Sequence, residues 1–347
     1  MSEPLRILLS LAARDRWGAR IERTVADADG RPVTFVAPAP GADAEIALVS
    51  REITGLSTKH HVLPDTQRFY DALLGAPSLR WVHVHSAGAD RPVYVELVRR
   101  GLALTTSSGS NAAVVAQTAL AGMLALARHF PQLIAAQREH AWRPQMGADS
   151  PRDLQSQTAL VVGWGPIGQT IGAVLLILGL RLLVARSSAV VAAGAERTVT
   201  FEDVSAVLPQ VDWLILACPL TDRTRHLVDA AALARLPAGA RLVNVARGDV
   251  VDEPALIAAL QARQLAGAYL DVYAHEPLAA DSPIWDLPNV IATPHSAGFS
   301  DGNAERVAAM FLANLEAWCR GRPLALQVGA GAGRVPDERG STLGSRI

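Results

Sequence analysis

Thr158-Ala-Leu-Val-Val-Gly-Trp-Gly-Pro-Ile-Gly168 joins a short aliphatic run to a glycine-rich turn, and a second apolar run over 169–178 follows directly. The first run has the length and β-branched content of a strand, the second the length of a helix. Strand, Gly-x-Gly-x-x-Gly and helix, in that order, form a βα turn suited to a dinucleotide. Gly163 permits the tight turn, Gly165 lets a pyrophosphate approach the backbone, and Gly168 lets the helix pack closely on the strand. Pro166 and Ile167 lie between them, where a helix N-terminus offers N–H groups and the positive end of its dipole. A tight βα turn needs the same glycines on steric grounds alone, so the stretch decides the fold first: a parallel α/β sheet.

Outward from this stretch, strand and helix patterns alternate in both directions. Toward the N-terminus, strands are expected over 6–10, 33–37, 45–50, 81–85 and 103–105, with helices over 14–28, 66–74 and 93–100. Toward the C-terminus, strands are expected over 182–185, 213–217, 241–245, 268–271 and 290–292. A helix over 254–262 carries Pro254 near its start, where the missing N–H does no harm, and a last helix covers 301–320. Such alternation implies parallel sheets covered on both faces. Residues 106–110 read as a crossover or hinge. Residues 111–129 read as a long helix, apolar almost all round, to be buried in a core or against a second subunit. The expected fold is α/β, with two Rossmann-like, doubly wound parallel-sheet domains. A discontinuous flavodoxin-like substrate domain takes residues 1–107 plus 298–328. An inserted NAD(P)-binding domain takes 108–297, and a mobile tail takes 329–347.

Three segments at strand ends carry chemistry. Asn244-Val-Ala246-Arg247-Gly248 closes one strand, Asp271-Val-Tyr-Ala-His-Glu276-Pro277 the next, and Thr293-Pro-His295 a third. Ligands of open α/β sheets collect at the carboxyl ends of strands. A guanidinium clamps a carboxylate through two parallel hydrogen bonds. A histidine exchanges a proton near neutral pH, and a carboxylate orients it and favours its charged form. Those roles are what reduction of a 2-oxo acid to a 2-hydroxy acid requires. Singly, each has a plain alternative as a surface cation, a solvated loop acid or a loop histidine; the joint pattern carries the argument.

The end of the strand over 182–185 selects the cofactor. An acid there would hydrogen-bond a ribose hydroxyl, as for NAD, but this chain has Ala185-Arg186-Ser187-Ser188. An arginine flanked by hydroxyls fits a 2′-phosphate, so NADP is expected over NAD. The missing acid is the firmer clue, because arginine is common throughout this chain.

Composition narrows the alternatives. The 347 residues suffice for two domains with sizeable cores. A net charge of −1 argues against a nucleic-acid surface built on bulk basicity. No apolar stretch is long enough to span a bilayer, and the start has too short an apolar core for a signal peptide. Cys218 and Cys319 are the only cysteines, which points away from a disulfide framework and toward a reducing cytoplasm. Lys59 is the only lysine, so the glycine loop lacks a Walker-type lysine, and Schiff-base chemistry has no other candidate. His83 and His85, two apart on a strand, could be half of a metal site, but no further ligands stand at a convincing spacing, so no metal is expected. Cys218 reads as pocket lining, since no activating group is apparent.

Taken together, the chain resembles the D-isomer-specific 2-hydroxyacid dehydrogenase family. The resemblance covers roughly residues 81–326 and is densest over 158–298. It rests on the glycine loop, on Cys218-Pro219-Leu-Thr-Asp-Arg-Thr224, on Leu242-Val-Asn-Val-Ala-Arg-Gly248, on the Asp271–Pro277 segment and on Thr293-Pro-His-Ser-Ala-Gly298. It implies His295 as general acid, Glu276 as its partner, and Arg247 on the substrate carboxylate and keto oxygen. It implies cofactor contacts along the glycine loop, at Arg186 and Ser187, at Cys218, Pro219 and Thr224, and at Ala246, Arg247, Asp271 and His295. Asp271 would meet the nicotinamide carboxamide. Backbone N–H groups near Ala87 and Gly88 would hold the substrate carboxylate. Where many members have a Glu-His pair in the long helix, this chain has Gln117 and Thr118, read here as lying in a structural or dimer region, a departure that does not by itself put catalysis at risk. The expected protein is a cytoplasmic, homodimeric reductase of glyoxylate or hydroxypyruvate type. The competing class is a nucleotide-sensing scaffold or corepressor with the same fold and little turnover.

Overall fold

A computed structural model describes residues 3–58 and 60–329. They form two units, one from the chain up to Ser108 together with the segment from Ala304 onward, the other from Gly109–Asn303. The expected tail lies, from residue 330 on, outside the described residues, as does Lys59.

In the first unit the strands are β1 (Leu5–Leu8), β2 (Val33–Val36), β3 (Ile46–Val49), β4 (Trp81–Val84) and β5 (Ala103–Thr106). They run parallel in the order β2-β1-β3-β4-β5, the flavodoxin-like order. Helix Leu11–Asp29 starts where the Ser10 hydroxyl accepts the Ala13 N–H at 3.0 Å and stops at Gly30, whose φ of 73° is left-handed. Helix Asn303–Cys319 packs through Phe311 and Trp318 on Trp81, with ring centroids 5.4 and 5.7 Å apart.

Histidines lie inside this sheet. The Trp81 indole N–H donates to Thr105 Oγ1 at 2.8 Å, and Thr105 Oγ1 stands 2.8 Å from His83 Nδ1. His83 Nε2 stands 3.0 Å from Ser107 Oγ, which donates to the Val84 carbonyl. The Ser107 hydrogen is therefore committed. His83 must donate from Nε2, and a neutral imidazole then accepts the Thr105 hydroxyl at Nδ1. Burial pushes the pKa values of His83 and His85 down to about 3; for His85 the charges of Arg51, Arg91 and His83 add to burial. Both His83 ring nitrogens are thus engaged within the sheet, and His85 Nε2 meets Thr54 Oγ1 at 2.8 Å.

In the second unit the strands are β6 (Thr158–Val162), β7 (Arg181–Arg186), β8 (Arg197–Thr200), β9 (Trp213–Leu216), β10 (Arg241–Asn244), β11 (Gly267–Leu270) and β12 (Val290–Ala292). Their order is β12-β11-β10-β9-β6-β7-β8, all parallel, so the direction of winding reverses between β6 and β9. Side chains alternate between two cores. Ala159 and Val161 of β6 face the core of helices Ala112–Ala127 and Pro166–Ile177, while Leu160 and Val162 face the opposite one. Coverage on both faces is why these strands read as unbroken apolar runs.

Several elements depart from expectation. The long helix covers Ala112–Ala127; His129 then takes a left-handed φ of 56°, and a second helix, Phe130–Arg138, starts with Pro131 in its first turn. Proline is tolerated there and not in a helix interior. The apolar sides of Ala112–Ala127 are buried by its own unit: Ala116 and Met123 are fully inaccessible, and Ala113, Gln117 and Ala121 are exposed. The nucleotide-loop helix begins at Pro166, earlier than the expected 169. β8, helix Ala230–Arg235 and the antiparallel strand β13 (Gln327–Val328) on the outer side of β5 had no apolar periodicity to announce them. Among the described residues, no single helix is long and apolar enough to cross a membrane.

Candidate active site

The winding reverses between β6 and β9, and in open α/β sheets ligands bind outside the carboxyl ends of the strands at such a point. Gly163, just past β6, has a φ of 101°, and a Cβ there would lie 2.6 Å from the Ala217 carbonyl oxygen and the Cys218 nitrogen. The two loops meet only because Gly163 has no side chain. A Cβ on Gly168 would run into the Gly163 carbonyl, so helix Pro166–Ile177 sits directly on the turn. Around Gly165 nothing lies within 4 Å of an ideal Cβ. Gly165 is also the N-cap of that helix, with no side chain to satisfy its first N–H groups. Open space at an uncapped helix N-terminus fits an anionic pyrophosphate.

Arg186 ends β7 and is half-buried; Ser187 is exposed beside it. Arg223, a residue the sequence reading quoted but did not single out, donates to the Ser187 carbonyl at 3.3 Å and pairs with Glu202 at 2.6 and 2.7 Å. Cys218 is buried, which pushes its thiol up to about 12 and keeps it protonated. Thr224 is fully buried, and its hydroxyl closes its own loop by donating to the Pro219 carbonyl at 2.7 Å.

Arg247 follows β10 after an Asn244 turn: the Asn244 side chain accepts the Ala246 N–H at 3.0 Å and donates to the Arg247 carbonyl at 3.2 Å. Gly248 then packs against backbone. A Cβ there would overlap the carbonyl of Tyr273 and the nitrogen of Ala274, so the turn after Arg247 and the loop leading to Glu276 lie in direct contact. Glu276 accepts the Tyr273 N–H at 3.2 Å through Oε1, and its Oε2 stands 2.8 Å from His295 Nδ1. Burial raises the Glu276 pKa. The His295 hydrogen bond and charge, the Tyr273 N–H and the Arg247 charge more than offset it, holding Glu276 below the usual carboxylate range. An ionised Glu276 requires a proton on His295 Nδ1, which leaves Nε2 for proton exchange.

His295 has a left-handed φ of 50°, unusual for a non-glycine residue. Asp271 holds it there. The His295 N–H donates to the Asp271 carbonyl at 2.8 Å. The N–H groups of Ser296 and Ala297 donate to the Asp271 carboxylate at 2.9 and 3.0 Å, as does the Thr293 hydroxyl at 2.7 Å. Asp271 is 2% exposed, so its carboxylate serves the loop that carries His295. Burial raises its pKa, against the lowering effect of these hydrogen bonds.

Arg247, Glu276, His295, Asp271, Ala246 and the glycine loop thus all stand at strand ends of the Gly109–Asn303 unit. Ala87 and Gly88 stand in the other unit, past β4, where the Ser86 hydroxyl donates to the Gly88 carbonyl at 2.7 Å. Tyr269, Tyr273 and Thr293 join the network without having been singled out from the sequence. Thr118 joins it too, as a structural contact: its Oγ1 stands 3.0 Å from the Val114 carbonyl and 3.2 Å from the Ala297 carbonyl.

Residues 120–297 match the sequence profile of the D-isomer specific 2-hydroxyacid dehydrogenase NAD binding domain. The chain is 34% identical over 250 residues to a glyoxylate reductase of Korarchaeum cryptofilum, covering 71% of this chain and 75% of that one. It is 32% identical over 270 residues to the glyoxylate/hydroxypyruvate reductase B of Klebsiella pneumoniae, covering 77% and 84%. Among solved structures, a D-isomer specific 2-hydroxyacid dehydrogenase from Xanthobacter autotrophicus Py2, in complex with NADPH and MES, matches with a TM-score of 0.72 at 27% identity, covering 94% of this chain and 98% of that one.

Proposed function

The chain belongs to the D-isomer specific 2-hydroxyacid dehydrogenase family, and we propose that it reduces small 2-oxo acids of the glyoxylate or hydroxypyruvate kind to D-2-hydroxy acids with NADPH. The observation that carries the proposal is the Glu276–His295 pair at 2.8 Å, with the Arg247 charge acting on the same carboxylate. When bound, the nicotinamide cofactor supplies a hydride for the keto carbon. His295 gives the proton at Nε2 to the keto oxygen, and Glu276 stabilises the charged imidazole before that transfer. Arg247 binds the substrate carboxylate and offsets the charge that develops on the keto oxygen. Ala87 and Gly88 of the other unit are assigned to substrate binding, as the resemblance implies.

The preference for NADPH over NADH is supported by the absence of an acid at the end of β7, where Arg186 and Ser187 stand instead. The Xanthobacter relative was solved with NADPH. The glycine loop, with open space at Gly165, fits the pyrophosphate of either cofactor. The reading includes a homodimer and a cytoplasmic location; both cysteines are free thiols, which accords with the latter. A monomer by light scattering would refute the dimer.

The test is a matrix of glyoxylate, hydroxypyruvate, pyruvate and phenylpyruvate against NADPH and NADH. The expected outcome is turnover fastest with NADPH and either glyoxylate or hydroxypyruvate. Arg186→Asp should move the preference toward NADH by about tenfold or more, because a carboxylate repels a 2′-phosphate and accepts from a 2′-hydroxyl. Tight cofactor binding without turnover on any 2-oxo acid would favour the scaffold reading.

A further inference from the structure

One face of helix Ala112–Ala127, with its N-cap residue, is turned to the loop that carries His295. Asn111, Val115, Thr118 and Gly122 are spaced by four, three and four, which places them in a single row along a helix. Each meets the loop or its support. A Cβ on Gly298 would overlap the Asn111 side-chain amide and lie 3.6 Å from Val115 Cγ2, so the loop's end rests on the helix start. Thr118 Oγ1 stands between the Val114 carbonyl at 3.0 Å and the Ala297 carbonyl at 3.2 Å. A Cβ on Gly122 would overlap the ring of Tyr269, which is 2% exposed and has no room to withdraw. The Thr293 hydroxyl hydrogen goes to Asp271, so the Tyr269 hydroxyl, 2.8 Å away, donates to Thr293 Oγ1.

The bonds form one connected set. Tyr269 donates to Thr293, Thr293 to Asp271, and Asp271 accepts the N–H groups of Ser296 and Ala297. The Ala297 N–H is held by Asp271, and its carbonyl faces the Thr118 hydroxyl, which it shares as acceptor with the Val114 carbonyl. His295 lies in sequence between Thr293 and Ser296, both bound to Asp271, at a φ of 50° that a free loop would not keep. We propose that Thr118 and Tyr269 are positioning residues for His295, and that Gly122 is glycine so that Tyr269 can reach Thr293. The helix face acts as a cradle that keeps the imidazole in line with Glu276. This inference rests on the reading of His295 as the general acid.

The experiment compares Thr118→Val, Thr118→Ser, Tyr269→Phe and His295→Gln on the best 2-oxo acid found with NADPH. Thr118→Val and Tyr269→Phe should each lower kcat by about tenfold, as a small misplacement of a reacting group does. KM for the 2-oxo acid and the Kd for NADPH should stay within about twofold of wild type, since neither residue is assigned a contact with either. Thr118→Ser, which keeps the hydroxyl, should restore most of kcat. A spectrum of the protein labelled with 15N-histidine provides a readout independent of turnover. The Nδ1 signature of the His295–Glu276 hydrogen bond should weaken in Thr118→Val and return in Thr118→Ser. Wild-type kcat in both Thr118→Val and Tyr269→Phe, with His295→Gln inactive, overturns the cradle and leaves the functional reading standing. Full turnover in His295→Gln overturns the functional reading. The cradle is then judged by the 15N spectrum, and an unchanged Nδ1 signature in Thr118→Val overturns it as well.

Discussion

At Glu276 two opposing effects meet, and their balance decides what the side chain does. The carboxylate is only 13% exposed, which alone would favour its neutral form. The His295 imidazole at 2.8 Å, the Tyr273 N–H at 3.2 Å and the Arg247 charge reverse that preference. Its charge therefore persists below the ordinary glutamate value of 4.5 as pH falls. Glu276→Gln removes the charge without removing the shape. We expect kcat to drop by about a hundredfold, near the lower end of what acid–base catalysis contributes. In the wild type, loss of activity from protonating Glu276 should have its midpoint below pH 4.5, and that limb should be absent in the variant. Steady-state rates across pH, with stability checked in parallel, measure both. Wild-type kcat in Glu276→Gln would contradict the role given to it. Arg247, Glu276 and His295 were legible from the sequence because each is a chemically distinct residue at a strand end.

Elements place these residues through glycines. The turn after β10 and the loop after β11 share a contact that only Gly248 permits, since any Cβ would occupy the Tyr273 carbonyl. Gly248→Ala must push the two loops apart and so separate Arg247 from Glu276. The expected cost is about 1–3 kcal/mol of stability, typical of forcing an atom into packed structure. A fall in kcat/KM of about a hundredfold should accompany it, because the groups leave their working geometry. Thermal unfolding and kinetics of the purified variant test this; a variant with wild-type kcat/KM would show that the loops tolerate separation. Helix positions were less legible. Residues 111–129 read as apolar almost all round, and although the family resemblance singles out Thr118, nothing in that composition tells what Thr118 or Gly122 touches. Their meaning comes from Tyr269 and Ala297, the latter 179 positions along the chain from Thr118.

For the molecule as a whole, the buried histidines of the first unit set a limit in acid. His83 and His85 have folded-state pKa values near 3, against 6.5 for the ordinary residue. Between those values the unfolded chain binds more protons than the folded one, so stability falls as pH falls from 6.5 toward 3 and is flat with respect to these groups above 6.5. Each histidine contributes a slope of up to about 1.4 kcal/mol per pH unit in that window. Urea midpoints at pH 7, 6 and 5 should decline, and His85→Gln should flatten the decline, provided the variant keeps its fold at pH 7. A midpoint constant over that range would show that the imidazoles are charged in the folded protein. The unit Gly109–Asn303 contains no comparable histidine among the described residues; its His295 is half exposed on the side chain.

Local chemistry made much of this protein legible in advance. The run from Thr158 to Gly168 dictates strand, turn and helix because glycine, proline and β-branched residues act on their own backbone. Alternating apolar runs dictate parallel sheets because each must be covered on both faces. The strand-end residues and the missing acid at Arg186 follow from position along those elements. Packing alone decided the rest. It joined β13 to β5, broke the long helix at His129, engaged both nitrogens of His83 inside a sheet and turned the Asp271 carboxylate toward the His295 loop. Those outcomes depend on which atoms meet across long stretches of chain, and a linear pattern carries no record of such meetings until the sheets and helices are assembled.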